Sequence, residues 1–248
     1  MKKQIQHYGG KMAEFIYPEV MRQNYYASTY SEIAMESYYY ARKNYDIICE
    51  NDYSCFKVKE LCEMEKNVIK TVVFSAMTIE SYLNDYAAAC LGDKEFYDNF
   101  DRLSAIGKFQ LIAKFILKSE FDKGKSYYCY LKELFSNRDA YIHNKSQAFD
   151  MEGCATLDEF VDYAEEKYKE ELKEEIGSFD RKSIDDFHKC ALNSLKAIKE
   201  VGLYFDKYDA NRFAINHLFT PLGILAGDEK EKEYKSFIFS LLNIPYPK

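Results

Sequence analysis

Residues 56–91 read FKVKELCEMEKNVIKTVVFSAMTIESYLNDYAAACL, and apolar side chains recur through them every three or four positions. This spacing places the apolar side chains on one face of a single helix. Gly92 follows directly, and glycine is the residue that most often stands just beyond a helix C-terminus. The sequence therefore predicts a long amphipathic helix that ends at Leu91.

Similar patterns on both sides of this segment predict further helices. Ser104 is suited to cap one of them, and capping boxes begin two others at Thr156 and Ser183. The predicted helices cover residues 26–45, 56–91, 103–118, 126–144, 156–177 and 183–204, and two short segments after Asp206.

Composition favours the same fold class. The chain has 248 residues but only 10 Gly and 4 Pro, too few for many short strands and tight turns. Its 23 Tyr and 18 Phe fit helices that pack through aromatic side chains. We predict an all-α fold, an antiparallel helical bundle with extra N- and C-terminal helices. The predicted parts are residues 1–55, an N-terminal helical extension that could join the bundle; residues 56–205, the bundle, with an acidic insertion at about 150–180; and residues 206–248, a C-terminal helical extension.

Cysteine usage and hydropathy limit the cellular setting. The seven cysteines are odd in number, contain no Cys-x-x-Cys pair and follow no secretory signal, so a reduced, cytoplasmic location is the simplest expectation. Their spacing does not match that of zinc ligands, and we expect neither a structural metal nor a cofactor. No apolar run approaches the ~20 residues of a membrane-spanning helix, so we expect no membrane partner.

Charge is distributed unevenly along the chain. The formal net charge of −7 argues against a protein whose whole surface attracts nucleic acid. Residues 101–148, however, contain nine basic and five acidic residues, a net charge of +4. Residues 150–180 contain twelve acids and three lysines, a net charge of −9. This acidic segment is either a solvated helix face, the reading we favour, or a guard against some polyanions.

Within the basic segment, Arg138-Asp139-x-x-x-His143 carries candidate chemistry. A guanidinium can neutralise charge that develops on a phosphate, and an imidazole that titrates near neutrality can move a proton. The alternative is that His143 has no catalytic role and is simply favoured near a helix C-terminus by the helix dipole. Residues five apart point about 140° from each other on an ideal helix, whereas Asp139 and His143, four apart, share a face. We therefore expect Asp139 to orient the His143 ring.

Glu80 and Asn84 are also four residues apart, and both lie on one face of the long helix. They could support a site, face water, or form a buried polar clamp between helices.

Four segments in succession carry a resemblance to a known family. They are the helix Ser75-Ala76-Met77-Thr78-Ile79-Glu80-Ser81-Tyr82-Leu83-Asn84, the helix Leu103-Ser104-x-x-x-Lys108-Phe109, the turn Phe121-Asp122-Lys123-Gly124, and Leu131-x-x-Leu134-x-x-x-Arg138-Asp139-x-x-x-His143. In order and spacing these segments resemble the HEPN superfamily (higher eukaryotes and prokaryotes nucleotide-binding). The resemblance covers about residues 56–205.

The resemblance implies a helical bundle that forms a homodimer and brings two Arg-x4-His motifs into one cleft that cuts RNA without metal. Members are often toxins of toxin–antitoxin pairs, or abortive-infection and antiviral defence proteins. The implied partners are therefore RNA, including tRNA, and an antitoxin or another defence protein. In some toxins the partner modifies a tyrosine two residues after the histidine, a regulation that does not fit Lys145 at that position.

Carried over by residue, the catalytic group is Arg138 and His143 with Asp139. We assign substrate binding to Lys108, Asn144 and Lys145, and support of the site to Glu80 and Asn84. Two function classes remain open. The first is a metal-independent endoribonuclease that cleaves single-stranded RNA or tRNA loops through the substrate's 2′-hydroxyl. The second is a non-catalytic HEPN-like module for dimerisation or for binding a nucleotide or a protein partner.

Overall fold

The computed structural model of the chain describes residues 3–8, 11–16, 26–50, 58–143, 181–209, 214–219 and 229–245. Two π-helical segments, Phe96–Phe100 and Ile112–Ile116, directly continue the helices Asp93–Glu95 and Ala105–Leu111. The expectation of an all-α fold is confirmed. The helices are α1 (Tyr26–Glu50), α2 (Val58–Leu91), α3 (Asp93–Glu95), α4 (Ala105–Leu111), α5 (Ser126–Ile142), α6 (Arg181–Tyr208), α7 (Ala214–Phe219) and α8 (Glu229–Leu242).

A short antiparallel hairpin precedes the helices. Its strands are β1 (Lys3–Tyr8) and β2 (Lys11–Ile16), and they pair with Lys3 opposite Ile16 and Tyr8 opposite Lys11. These strands were not expected from the sequence, where residues 1–24 indicate only a polar start before the first helix.

Helix α1 packs along α2 through a face of small side chains. Ala27, Ser31 and Ala34 of α1 are fully buried, and small side chains let two helices approach closely. The Thr71 hydroxyl of α2 lies 3.5 Å from the Ala34 carbonyl oxygen across this contact. The segment that the sequence analysis set apart as an extension therefore includes a helix in contact with the long central one.

Helix α2 lies at the centre of the bundle and packs against α1, α4, α5 and α6. Val68, Val72, Ile79 and Leu83 recur at helical spacing along it and have no exposed surface. Burial of one such aliphatic side chain contributes about 1.5–3 kcal/mol to folding. The apolar stripe read from residues 56–91 is thus the core of the fold, and it fixes the position of the polar residues on the other faces of α2.

The predicted ends of two helices are confirmed by their geometry. Gly92 has φ +86°, a conformation that costs glycine little and other residues more, and it directly follows the end of α2. Ser104 caps α4, since its hydroxyl oxygen accepts a hydrogen bond of 3.2 Å from the Gly107 N–H. Both signals are local, which is why the sequence alone identified them.

The start of α6 differs from the prediction. The helix begins at Arg181, so Ser183 lies inside the first turn and is not the N-cap of a capping box. It ends at Tyr208, one turn beyond the predicted end near Tyr204. The other predicted capping box, at Thr156, and the whole acidic segment at 150–180 lie outside the described residues.

Two short helices close the described chain, and α8 packs on α1. Lys235 of α8 is 2% exposed and forms ion pairs with Glu32 of α1, at 3.1 Å, and with Glu231 of its own helix. The Tyr234 hydroxyl donates to the same Glu32 carboxylate at 3.2 Å. None of the described helices combines the length and apolar composition that a membrane crossing requires.

Candidate functional site

The Arg138 and His143 motif lies at the C-terminal end of α5. The helix ends at Ile142, and His143 is its C-cap, with φ −103° and ψ 30°. The His143 N–H donates to the Asp139 carbonyl oxygen at 2.9 Å and closes the last turn. The imidazole side chain is exposed, and so is the neighbouring Ile142. An exposed imidazole can exchange a proton with a bound molecule.

Arg138 is held by contacts on three sides. Its Nη1 donates to Glu80 Oε1 of α2 at 3.1 Å, and its Nε donates to Asp139 Oδ1 at 2.8 Å. The guanidinium carbon lies 5.0 Å from the centre of the Phe135 ring, one turn earlier on α5. The Arg138 side chain is 24% exposed. These contacts fix the direction of the guanidinium while part of it remains accessible to solvent.

Glu80 lies beside the motif, as the sequence analysis expected of a supporting residue. It belongs to α2, and its carboxylate reaches α5 through the ion pair with Arg138. Glu80 and Arg138 are 58 residues apart in sequence, so this ion pair joins two distant helices. Glu80 was expected to support a site, to face water, or to form a buried polar clamp between helices. Its ion pair with Arg138 favours the first of these.

Asn84, one turn further along α2, contacts a different cation. Its side-chain oxygen accepts a hydrogen bond of 2.7 Å from the Lys108 ammonium of α4. Lys108 is 6% exposed, and its Nζ lies 5.8 Å from the centre of the Phe96 ring. The ammonium is therefore turned into the bundle, and contact with RNA would require it to leave Asn84. Burial and this hydrogen bond favour a structural role for Lys108 over substrate binding.

The expected contact between Asp139 and the His143 ring is not formed. The Asp139 carboxylate binds Arg138 Nε, and only the Asp139 backbone carbonyl reaches His143, through its N–H. The neighbouring Arg138 side chain thus takes the carboxylate that was expected to orient the imidazole. Asn144 and Lys145, predicted to bind substrate, lie outside the described residues.

Cys190 of α6 contacts the motif helix on its other side, and sequence reasoning missed it. Its Sγ accepts a hydrogen bond of 3.1 Å from the Asn137 side chain and lies 3.9 Å from the Tyr141 hydroxyl. Burial raises the pKa of the Cys190 thiol and also that of the Tyr141 hydroxyl. Neither group is thus poised to ionise near neutral pH. No spacing in the sequence relates residue 190 to the motif, so only the folded structure could identify this contact.

A separate groove of about 530 Å³ lies at the opposite end of α5, between the start of that helix and the end of α6. Lys125 and Lys207 lie in its wall, and the rings of Tyr204 and Tyr208, 4.8 Å apart, form another part of it. Twelve residues of helix, about 18 Å, separate Ser126 in the groove from Arg138. None of the predicted site residues lines it.

Among the described residues, no group of three or more His, Cys, Asp or Glu side chains is placed to hold a metal ion. No family model matches this chain, and neither a curated protein nor a solved structure shows significant similarity to it.

Proposed function

We propose that this protein is a metal-independent endoribonuclease of the HEPN type, which cleaves single-stranded RNA or tRNA loops. The observation that carries the proposal is the arrangement at the end of α5. An arginine is held in position by Glu80 of α2, and an exposed histidine follows it at the helix terminus. Five residues of helix rise about 7.5 Å, a separation that one nucleotide with its phosphate can span.

In the proposed reaction the substrate supplies its own nucleophile. The 2′-hydroxyl attacks the adjacent phosphorus while His143 accepts its proton, and the bond from phosphorus to the 5′-oxygen breaks. Arg138 stabilises the negative charge that develops on the phosphoryl oxygens. The leaving 5′-oxygen takes up a proton, and the products are a 2′,3′-cyclic phosphate and a 5′-hydroxyl. Every proton and bond is accounted for without a further reactant.

The reaction needs a base and an acid, and each chain offers one histidine at this position. We propose that a homodimer supplies both, with His143 of one chain as the base and His143 of the other as the acid. Exposure of Ile142, 53% accessible beside His143, supports an apolar contact at this end of α5. An enzyme that is fully active as a monomer would refute this division of roles.

The biological setting is proposed on the resemblance alone. It comprises a cytoplasmic protein of toxin–antitoxin, abortive-infection or antiviral systems, with an antitoxin or another defence protein as partner. Toxicity on expression, relieved by His143→Ala, would support this setting.

The test is cleavage of total tRNA and of a generic single-stranded RNA in EDTA, with end-group analysis. Wild type, Arg138→Ala and His143→Ala are compared with Lys132→Ala, which removes an exposed cation from the same helix away from the motif. We expect cyclic-phosphate ends from wild type and Lys132→Ala, and a loss of at least about 100-fold in the two motif variants, as for removal of a general base. Equal cleavage by all four proteins would contradict the proposal.

One observation favours the second candidate, a non-catalytic HEPN-like module. Two carboxylates, Glu80 and Asp139, surround the single Arg138 guanidinium, an arrangement that also suits a structural clamp between α2 and α5. A purely structural clamp predicts that Arg138→Ala lowers the unfolding temperature, whereas His143→Ala changes neither stability nor partner binding. Loss of RNA cleavage in a stably folded His143→Ala variant would exclude this reading.

A further inference from the structure

The hydrogen-bond donors of Arg138 are divided between two carboxylates. A guanidinium has five N–H donors, and it binds a phosphate best through two parallel bonds along one edge. One edge consists of Nε and Nη2, and the other of Nη1 and Nη2. Nε donates to Asp139 and Nη1 donates to Glu80, so each edge has one nitrogen already bound. The Nε–Nη2 edge has thus lost its single Nε–H to Asp139, and on the other edge Nη1 has given one of its two N–H groups to Glu80.

The two carboxylates differ in how firmly they are held. Glu80 comes from α2, and its side chain is 36% exposed, whereas the Asp139 side chain is 55% exposed. Asp139 is the next residue along α5, and adjacent residues on a helix do not face each other. Arg138 must therefore bend sideways to reach it. An exposed carboxylate can turn into water at little cost, so Asp139 is the partner that another anion displaces more easily.

We infer that Asp139 is a competing ligand for Arg138, and that an RNA phosphate must displace its carboxylate before cleavage. The inference rests on the proposed function and adds a role for Asp139 other than orienting the His143 ring. Once Asp139 turns away, Nε and Nη2 together receive the phosphate, while Glu80 keeps Nη1 and the direction of the guanidinium. The carboxylate thus sets the affinity of the site for RNA.

Charge at the site adds a consequence for the class of substrate. One arginine and two carboxylates leave an excess of one negative charge, which repels a free mononucleotide. A longer strand can also contact exposed lysines between α4 and α5, such as Lys114, Lys123 and Lys125. These contacts raise the local concentration of its phosphates near Arg138. The site therefore selects polymeric RNA over single nucleotides.

The test measures equilibrium binding, so that it does not depend on catalysis. The probe is a labelled 2′-O-methyl RNA oligonucleotide of mixed sequence, which cannot be cleaved because it lacks the 2′-hydroxyl, and fluorescence anisotropy is the readout. Asp139→Asn removes the competing charge with little change of shape. Glu229→Gln is the matched control, because it removes one exposed carboxylate from α8, a helix that packs on α1. Arg138→Ala and the double variant with Asp139→Asn complete a double-mutant cycle.

Asp139→Asn should bind the oligonucleotide about two- to fivefold more tightly than wild type, the range expected when an exposed ion pair is removed. Glu229→Gln should change Kd by less than about twofold, because its charge lies on a different helix and salt screens it from the bound RNA. In the Arg138→Ala background, Asp139→Asn should give no gain. The inference is overturned if Asp139→Asn binds no more tightly than Glu229→Gln, if neither variant binds, or if the gain persists without Arg138.

Failure of this inference and failure of the proposed function are distinguishable. If Arg138→Ala and His143→Ala lose cleavage but Asp139→Asn gains no affinity, the ribonuclease stands and only the competition by Asp139 is refuted. If cleavage is unaffected by Arg138→Ala, the ribonuclease is refuted, and the binding cycle still reports on competition for Arg138.

Discussion

Tyr38 of α1 and His188 of α6, 150 positions apart in sequence, lie 3.1 Å from each other through the tyrosine hydroxyl and His188 Nε2. The His188 ring also stacks on Tyr45, with ring centres 4.2 Å apart. Desolvation by burial, and then the nearby positive charge of Arg42, lower the pKa of His188 to about 4. The negative charges of Asp46 and Asp185 oppose this shift. His188 is thus a neutral core residue that holds α6 on α1.

Stability should therefore depend on pH through His188. An unfolded histidine binds a proton near pH 6.5, but the folded one only near pH 4, so the unfolded state binds more protons between these values. The contribution of the neutral, buried His188 to the free energy of unfolding is complete above about pH 6.5 and is lost as the pH falls to about 4. We expect a loss of about 2–3 kcal/mol, relative to a variant without the histidine, from the size of the pKa shift.

Urea unfolding of wild type and His188→Gln measures how the free energy of unfolding of each protein depends on pH. The measurements run from about pH 4 to about pH 7.5, which covers the range over which His188 titrates in the folded and unfolded states. Glutamine keeps an acceptor for the Tyr38 hydroxyl but does not titrate. The advantage of wild type over the variant should shrink as the pH falls. A difference that stays constant with pH would show that His188 carries no such linkage.

Removal of Glu80 should impair the site more than the fold. In Glu80→Ala, the Arg138 guanidinium loses its contact with α2 and retains only its contacts within α5, with Asp139 and the Phe135 ring. The ion pair is partly exposed, and its loss should lower the free energy of unfolding by no more than about 1 kcal/mol. RNA cleavage should fall by about tenfold or more, because the arginine is no longer directed at the phosphate.

Glu80→Gln is the matched variant, since its side-chain oxygen still accepts from Arg138 Nη1. It should retain most of the activity that Glu80→Ala loses. Thermal unfolding and initial cleavage rates of both variants make the comparison. Equal loss of activity in the two variants would mean that the charge of Glu80, rather than its hydrogen bond, is what matters.

Lys108 is a buried ammonium whose hydrogen-bond partner among the described residues is a neutral amide. A buried charge without a counter-ion is costly, and an apolar side chain of similar length removes that cost but also removes the hydrogen bond to Asn84. Lys108→Met should therefore change the free energy of unfolding by no more than about 1 kcal/mol, and leave oligonucleotide affinity within about twofold of wild type. Urea unfolding and fluorescence anisotropy measure the two effects. A large loss of affinity with unchanged stability would return Lys108 to the substrate-binding role expected from the sequence.

Lys235 should be essential for the attachment of α8 to α1. Its replacement by Ala would leave Glu32 and Glu231 near each other without the cation between them. Loss of one partner of a buried ion pair costs about 3–5 kcal/mol, and part of that cost should appear as local detachment of α8. Limited proteolysis should cut the C-terminal segment of Lys235→Ala faster than that of wild type. As a control, Lys232→Ala removes an exposed lysine of the same helix and should leave the rate of cutting unchanged.

Features that depend on neighbouring residues were predictable from the sequence. The apolar stripe of α2, its end before Gly92 and the Ser104 cap each follow from a few adjacent positions. The two π-helical segments were not predictable, because the change from i+4 to i+5 hydrogen bonds leaves the apolar pattern almost unaltered. The start of α6 was misplaced because a Ser-x-x-Asp pattern also occurs inside a first turn.

At the site, the sequence predicted that Glu80 lies near the motif but not which atoms pair. Its contact with Arg138 depends on how α2 and α5 pack. The Asp139 carboxylate binds Arg138 instead of the His143 ring, a choice between two neighbouring partners that helical spacing does not decide. The contact of Cys190 with Asn137 joins two helices that no local pattern relates.

Glu80 and Asn84 attach two cations, from α5 and from α4, to successive turns of one helix. The anchoring points of Arg138 and Lys108 are therefore separated by about one helical pitch, ~5.4 Å, because both belong to the same helix. An insertion of a single residue between them would rotate one anchor by about 100° and separate the two attachments. The length of this stretch of α2 is thus constrained in addition to the identity of the core residues between the anchors, such as Leu83.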